Sequence, residues 1–156
     1  MPKHSPILQA VWQHADEMPN KTALVWNDSP VTYAELRTNV NRAAAYLVSQ
    51  GVKPGDCLGI SAKKGLEFVY IYLGGQLLGA TNVVLDPEAN EKRLDYIKSI
   101  TKPTLIVDCA EVEKVGGENR WTEDDKIPLS TSTSDFDLSP DSPAEIVFTT
   151  GTTGAA

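Results

Sequence analysis

Residues 57–85 read CLGISAKKGLEFVYIYLGGQLLGATNVVL, and this stretch decides the fold. Cys57–Ser61 is a short apolar run with the length of a strand. Leu66–Leu78 carries apolar residues for more than three helical turns, and Thr81–Leu85 returns to the β-branched composition of a buried strand. The uncharged run Phe68–Leu85 is eighteen residues long, near the lower limit for crossing a hydrocarbon core. Its interior argues against a membrane span, because Gly74-Gly75-Gln76 and Gly79-Ala80-Thr81-Asn82 interrupt it. A buried helix followed by a buried strand is the reading, with Gly74, Gly75 and Gly79 as points of close packing.

Working outward, the same alternation continues. A helix over Glu91–Ile100 and a strand over Thr104–Val107 follow. Upstream, Thr32-Tyr33-Ala34-Glu35 has the capping-box spacing that opens a helix. Its apolar face is Leu36, Val40, Ala43, Ala44, Leu47 and Val48, and Gly51 stands where a left-handed stop is easiest. Before it, Thr22–Trp26 and Val31–Tyr33 predict a small hairpin across the turn formers Asn27–Pro30. Ser5–Met18 predicts an amphipathic opening helix with Ile7, Leu8, Val11, Trp12 and Ala15 on one face. Strands alternating with helices of ten to fifteen residues mean βαβ crossovers, hence an α/β fold with a mostly parallel sheet and helices on both faces. From Ala110 to Asp141 acidic and polar residues dominate, which reads as a linker or surface excursion; Trp121, Ile127 and Leu129 are the residues able to pin part of it down. Strand character returns at Glu145–Thr149.

Composition narrows the function. The chain has 156 residues, 41% hydrophobic and 22% charged, with a formal net charge of −7, which fits one globular domain. Without a Lys/Arg cluster able to track a phosphate backbone, nucleic acid is not an expected partner. The opening Met1-Pro-Lys-His-Ser-Pro lacks the pattern of a secretory signal, so a cytoplasmic location is the expectation. Cys57 and Cys109 sit beside aliphatic residues and far from His4 and His14, and both read as buried free thiols rather than metal ligands. Asp86-Pro87 reads as a strand-ending turn, Glu123-Asp124-Asp125 as a solvated acidic loop, and Lys63-Lys64 as facing solvent.

Ile146-Val147-Phe148-Thr149-Thr150-Gly151-Thr152-Thr153-Gly154 is the stretch where residue type and order point to chemistry. Two glycines let the backbone turn close to a ligand so that successive N–H groups converge, and four threonine hydroxyls add donors. A polyphosphate suits such a loop; a surface turn is the alternative. Ligands in open α/β sheets sit beyond the carboxyl ends of strands, where this loop is expected. The Walker-type G-x-x-x-x-G-K-[ST] and the G-x-G-x-x-G fingerprint are both absent, and no G-x-S-x-G elbow marks a hydrolase.

Phe148–Gly154 resembles the threonine/serine/glycine-rich phosphate loop of the adenylate-forming superfamily, which comprises acyl-CoA synthetases, adenylation domains of nonribosomal peptide synthetases, and luciferases. Further resemblance lies in Val31–Leu36, Gly51–Asp56 and Val84–Pro87 followed by Arg93-Leu94 and Tyr96-Ile97, in the family's order. The resemblance implies a flavodoxin-like first subdomain of such an enzyme. It also implies a two-step reaction: a small-molecule carboxylic acid attacks the α-phosphate of ATP, with Mg²⁺, and a thiol of coenzyme A or of carrier-protein phosphopantetheine takes the acyl group. Thr149, Thr150, Gly151, Thr152, Thr153 and Gly154 are the implied ATP phosphate-binding positions. The family's next phosphate-facing Lys, its adenine and acid pockets and its mobile C-terminal domain would all lie beyond Ala156. Residues 1–156 are therefore expected to be the N-terminal part of the large domain of an AMP-forming ligase, inactive alone. The competing expectation is a non-catalytic flavodoxin-like binding or docking module, distinguished by the residue encoded after Ala156.

Overall fold

The computed structural model describes residues 5–61, 63–109 and 141–148. The element order is α1 (Pro6–Glu17), β1 (Thr22–Trp26), β2 (Ser29–Thr32), α2 (Tyr33–Ser49), β3 (Cys57–Ser61), α3 (Leu66–Leu78), β4 (Thr81–Leu85), α4 (Glu91–Thr101), β5 (Leu105–Asp108) and β6 (Glu145–Ile146). The expected excursion over 110–141 lies outside the described residues except for Asp141.

Local chemistry starts each element. Ser5 caps α1 by accepting from the Leu8 amide at 3.3 Å, and Pro6 occupies the first helical position, where no N–H is needed. The capping box of α2 forms as its spacing predicts: the Glu35 amide donates to Thr32 Oγ1 at 3.2 Å, and the Thr32 amide donates to Glu35 Oε2 at 2.8 Å. Asn90 caps α4 by accepting from the Arg93 amide at 2.8 Å. The hairpin turns on Asn27 and Asp28, both at positive φ, so β2 begins at Ser29 rather than at the expected Val31. Pro30 is accommodated in this two-stranded ribbon because an edge position asks for no ladder N–H.

Four strands form a wholly parallel sheet in the order β5-β3-β4-β6, as the α/β reading requires. The chain steps from β3 to β4 and then back across β3 to β5, so right-handed crossovers place α3 and α4 on opposite faces. Two packed clusters match that placement. Leu58, Ile60 and Val107 face α2 and α3 with Val40, Ala43, Leu47, Ile71 and Leu78. On the other face Val83 and Leu85 pack with Ile97 of α4, joined by Cys57, Leu94, Ile146 and Phe148.

Several sequence expectations need correction. Ile7 and Val48 are exposed rather than packed, because each lies at the rim of its helix's apolar stripe, and Ala45 is buried in α2 instead. Cys57 is only half-buried, since it opens β3 at the sheet's end, whereas Cys109 is buried; both are free thiols. Gly74 and Gly75 are close-packing points, but Gly79 is the left-handed C-cap of α3, at φ 80°. A Cβ on Gly74 would stand 3.0 Å from the Ala43 Cβ and the Ala44 amide nitrogen, so α2 and α3 approach through backbone.

The amino ends of the strands are stitched by backbone bonds. Gly55 donates to the Gly79 carbonyl at 2.9 Å, Thr81 to Asp56 at 2.8 Å, and Thr104 to Cys57 at 2.9 Å. The carboxyl ends of β3 and β4 lead into α3 and α4 and form the rim where the site lies.

Candidate functional site

The rim is centred on Asp86-Pro87, immediately after β4. Asp86 makes a tight turn: its carboxylate accepts from the Glu88 amide at 2.9 Å and its carbonyl from the Ala89 amide at 3.1 Å. That is the strand-ending turn the sequence predicts. Asp86 and Pro87 also line two cavities.

One, a groove of about 650 Å³, is lined by Phe68 and Tyr72 of α3, Val84 of β4, and Glu145, Ile146, Val147 and Phe148. The other, a crevice of about 660 Å³, is bounded by Ser61, Leu94 and Ile106. Its walls carry Lys63, Lys64 and Lys98 against Asp86, Glu88 and Asp108, a balanced set of charges. Lys63 and Lys64 are exposed, as expected, yet they also border this crevice. The reversal of strand order between β3 and β4 makes this rim a switch point, where open α/β sheets place ligands.

The predicted phosphate-binding residues Thr149, Thr150, Gly151, Thr152, Thr153 and Gly154 lie outside the described residues. Their approach is described. Glu145 and Ile146 form β6, in parallel register with Asn82 and Val83 of β4, and Val147 and Phe148 follow without strand pairing, so β6 is shorter than the expected Glu145–Thr149. Phe148 meets the edge of Tyr96 on α4, with ring centroids 6.3 Å apart. The described chain thus ends at the rim, and Thr149 is the next residue in sequence.

Sequence reasoning missed the polar contacts holding β6. Tyr72 on α3 donates its hydroxyl to Glu145 Oε2 at 2.7 Å. Burial pushes the Tyr72 phenol up to about 12; the Glu145 hydrogen bond and charge add to this, and a hydrogen bond from Gln76 opposes it. The partners are 73 residues apart, so no local pattern announces them. Asn82 is fully buried, and its Nδ2 donates to the Tyr72 carbonyl at 2.8 Å. Its Oδ1 has no hydrogen-bond partner among the described residues and lies against Gly75. An Asn inside an apolar strand is the one signal of this network visible in sequence. Thr81 Oγ1 donates to the Pro143 carbonyl at 3.0 Å, and the Asn82 amide to the Ala144 carbonyl at 2.9 Å.

Two other groups titrate abnormally. Burial raises the Cys109 thiol to about 11, helped by Asp108 and Glu67. Burial also raises Tyr70, against a hydrogen bond from Asn39. Among the described residues no group of three or more His, Cys, Asp or Glu is placed to hold a metal ion. No helix among them is long and apolar enough to cross a membrane.

The family described as AMP-binding enzyme matches residues 11–156. Delta-poly-L-ornithine synthetase of Acinetobacter baumannii (strain AB307-0294) is 31% identical over 157 residues, covering 95% of this chain and 12% of that protein. Dimodular nonribosomal peptide synthase of Bacillus subtilis (strain 168) is 29% identical over 146 residues, covering 87% of this chain and 6% of that protein. Among solved structures, a fatty acyl-adenylate ligase from L. pneumophila, in complex with acyl adenylate and pyrophosphate, superposes with a TM-score of 0.70 at 24% identity. That match covers 94% of this chain and 28% of the other. The Klebsiella oxytoca NpsA N-terminal subdomain, in complex with 3-hydroxybenzoyl-AMSN, gives a TM-score of 0.70 at 20% identity, covering 94% and 38%. The two structural likenesses speak to the fold. The chain spans only a small part of these curated relatives, 12% of one and 6% of the other.

Proposed function

The chain belongs to the AMP-binding enzyme family, and from that premise we propose that it is the N-terminal part of an AMP-forming acid–thiol ligase. The reaction is carboxylate adenylation by ATP with release of pyrophosphate, then acyl transfer to a thiol of coenzyme A or of a carrier protein's phosphopantetheine. One observation carries the reading: in sequence, the run Thr149–Gly154 comes directly after a segment that leaves a parallel strand at the carboxyl rim of an open α/β sheet, beside a strand-order reversal.

The chemistry asked of this segment is electrostatic. As the carboxylate oxygen bonds to the α-phosphorus, the bond to the bridging oxygen breaks and charge builds on the departing pyrophosphate. Hydroxyls of Thr149, Thr150, Thr152 and Thr153, with backbone N–H groups made approachable by Gly151 and Gly154, are the donors that meet that charge. Mg²⁺ enters with ATP, and no role of the described residues depends on it. The acid and adenine pockets, on this reading, belong to sequence beyond Ala156. The 156-residue chain alone therefore neither adenylates nor binds ATP tightly.

The test is carboxylate-dependent ATP–pyrophosphate exchange by the full reading frame containing this chain, across amino, aromatic and fatty acids. Amino acids come first, because the curated relatives include a nonribosomal peptide synthase. Exchange with one acid class, lost in Thr152→Ala/Thr153→Ala, supports the reading and names the substrate class. No exchange with any acid from a folded enzyme refutes it in favour of a binding module, and exchange by residues 1–156 alone refutes the assignment of the remaining site to later sequence.

A further inference from the structure

β6 is two residues long, yet on the proposed reading it carries the phosphate loop to the rim. Register in so short a strand is weakly specified by its ladder. Two of its attachments, to the Pro143 and Ala144 carbonyls, use backbone acceptors that any residue offers. Its apolar pattern also tolerates the two-residue slip that brings Phe148 against Val83, although not the opposite one, which brings Ala144 there. Ile146 and Phe148 both face the α4 cluster, so either satisfies the position against Val83. A slip of two residues keeps every side chain on its own face and moves β6 by about 6.6 Å along its neighbour.

One contact does distinguish the registers. Glu145 stands directly opposite Asn82 in the ladder, and Tyr72 reaches both: its carbonyl takes the Asn82 side-chain amide at 2.8 Å, and its hydroxyl holds Glu145 at 2.7 Å. In the slipped registers Pro143 or Val147 would stand there, and neither side chain can accept the phenol's hydrogen bond. We propose that Tyr72 is a positioning residue that acts through Glu145 to fix the register of β6, the strand that leads in sequence to the proposed phosphate-binding run Thr149–Gly154. This rests on the proposed adenylation function for its catalytic consequence, whereas the register itself stands on the geometry alone.

The test uses the full enzyme and compares Tyr72→Phe with Glu145→Gln, which keeps an acceptor oxygen for the phenol. Tyr72→Phe is expected to raise the KM for ATP in the exchange assay about tenfold, the factor expected from one lost hydrogen bond to a charged group. The KM for the carboxylic acid should stay unchanged, and Glu145→Gln should remain within about twofold of the parent. An unchanged KM for ATP overturns the proposal, as does a loss shared equally by both substrates with a lowered melting temperature. If the parent enzyme exchanges with no acid, the functional reading fails, and amide exchange decides the register. A faster-exchanging Asn82 amide in Tyr72→Phe, with β3 amides unaltered, sustains it; equal rates overturn it.

Discussion

Gly75→Ala concentrates the packing argument in one methyl group. A Cβ at this position would collide with Asn82 Oδ1 and stand 3.0 Å from Leu58 Cδ2. Asn82 is fully buried and its Nδ2 is engaged with the Tyr72 carbonyl, so it has nowhere to swing without breaking that bond. Overpacking of this kind costs about 1–3 kcal/mol, and a buried amide deprived of its partner about 1–3 kcal/mol more. Against these, Ala in place of Gly favours the helix by about 1 kcal/mol. The balance is a loss of about 3 kcal/mol. With a urea m-value of about 2 kcal/mol/M, the unfolding midpoint should fall by about 1.5 M at unchanged m. The cycle with Asn82→Ala isolates the clash: once Oδ1 is gone, Gly75→Ala should become nearly neutral, a strong coupling between the two sites. A Gly75→Ala midpoint at or above the parent's, or additive effects in the cycle, would refute the account of α3 lying on β4 through a bare glycine.

Three further outcomes can be measured on the same molecule. The Tyr72 phenol should ionise near pH 12 in the native state, read as phenolate absorbance, and Glu145→Gln should lower that midpoint. Above pH 10 the unfolded chain releases this proton while the native state keeps it, so the contribution to stability, intact below pH 10, is lost as pH rises towards 12. Half-buried Cys57 should react with iodoacetamide well before Cys109, whose thiol is buried and raised to about 11; equal rates mapped by peptide mass would contradict the burial of the chain just past β5. Thr32→Ala removes the acceptor for the Glu35 amide and should cost about 1 kcal/mol in urea unfolding, whereas no change would mean that α2 starts without its capping box.

Most of the scaffold is legible in sequence because its signals are local. Cys57–Ser61, Leu66–Leu78 and Thr81–Leu85 form the elements expected of them, since run length and β-branching separate buried strand from buried helix. The capping box at Thr32 is written in four consecutive residues. The departures also have local causes. Gly79 looks like its neighbours Gly74 and Gly75 in sequence, but only a C-cap geometry distinguishes its left-handed φ from their close contacts. Ile7 and Val48 fit a helical stripe by spacing, yet at its rim they reach solvent. In the candidate site, the strand and the turn at Asp86 can be read, whereas the tie from Tyr72 to Glu145 cannot, because side chains 73 residues apart meet only once crossovers and register are fixed.

The stitched amino ends of β3, β4 and β5 separate two kinds of freedom within one sheet. Gly55, Thr81 and Thr104 donate across to neighbouring backbones, a seam that depends on main chain and so tolerates side-chain drift while holding the strands' starting points. The opposite ends stay paired as far as Ser61, Leu85 and Asp108, and beyond them turns and charged side chains border open cavities. Lineages carrying this sheet can therefore rework the rim, exchanging Lys64, Glu88 or Lys98 with little penalty to folding, while the seam keeps the strands in step. A deep mutational scan scored first for abundance and then for catalysis should divide along this line, with the seam's glycines constrained in the first screen and rim residues emerging in the second.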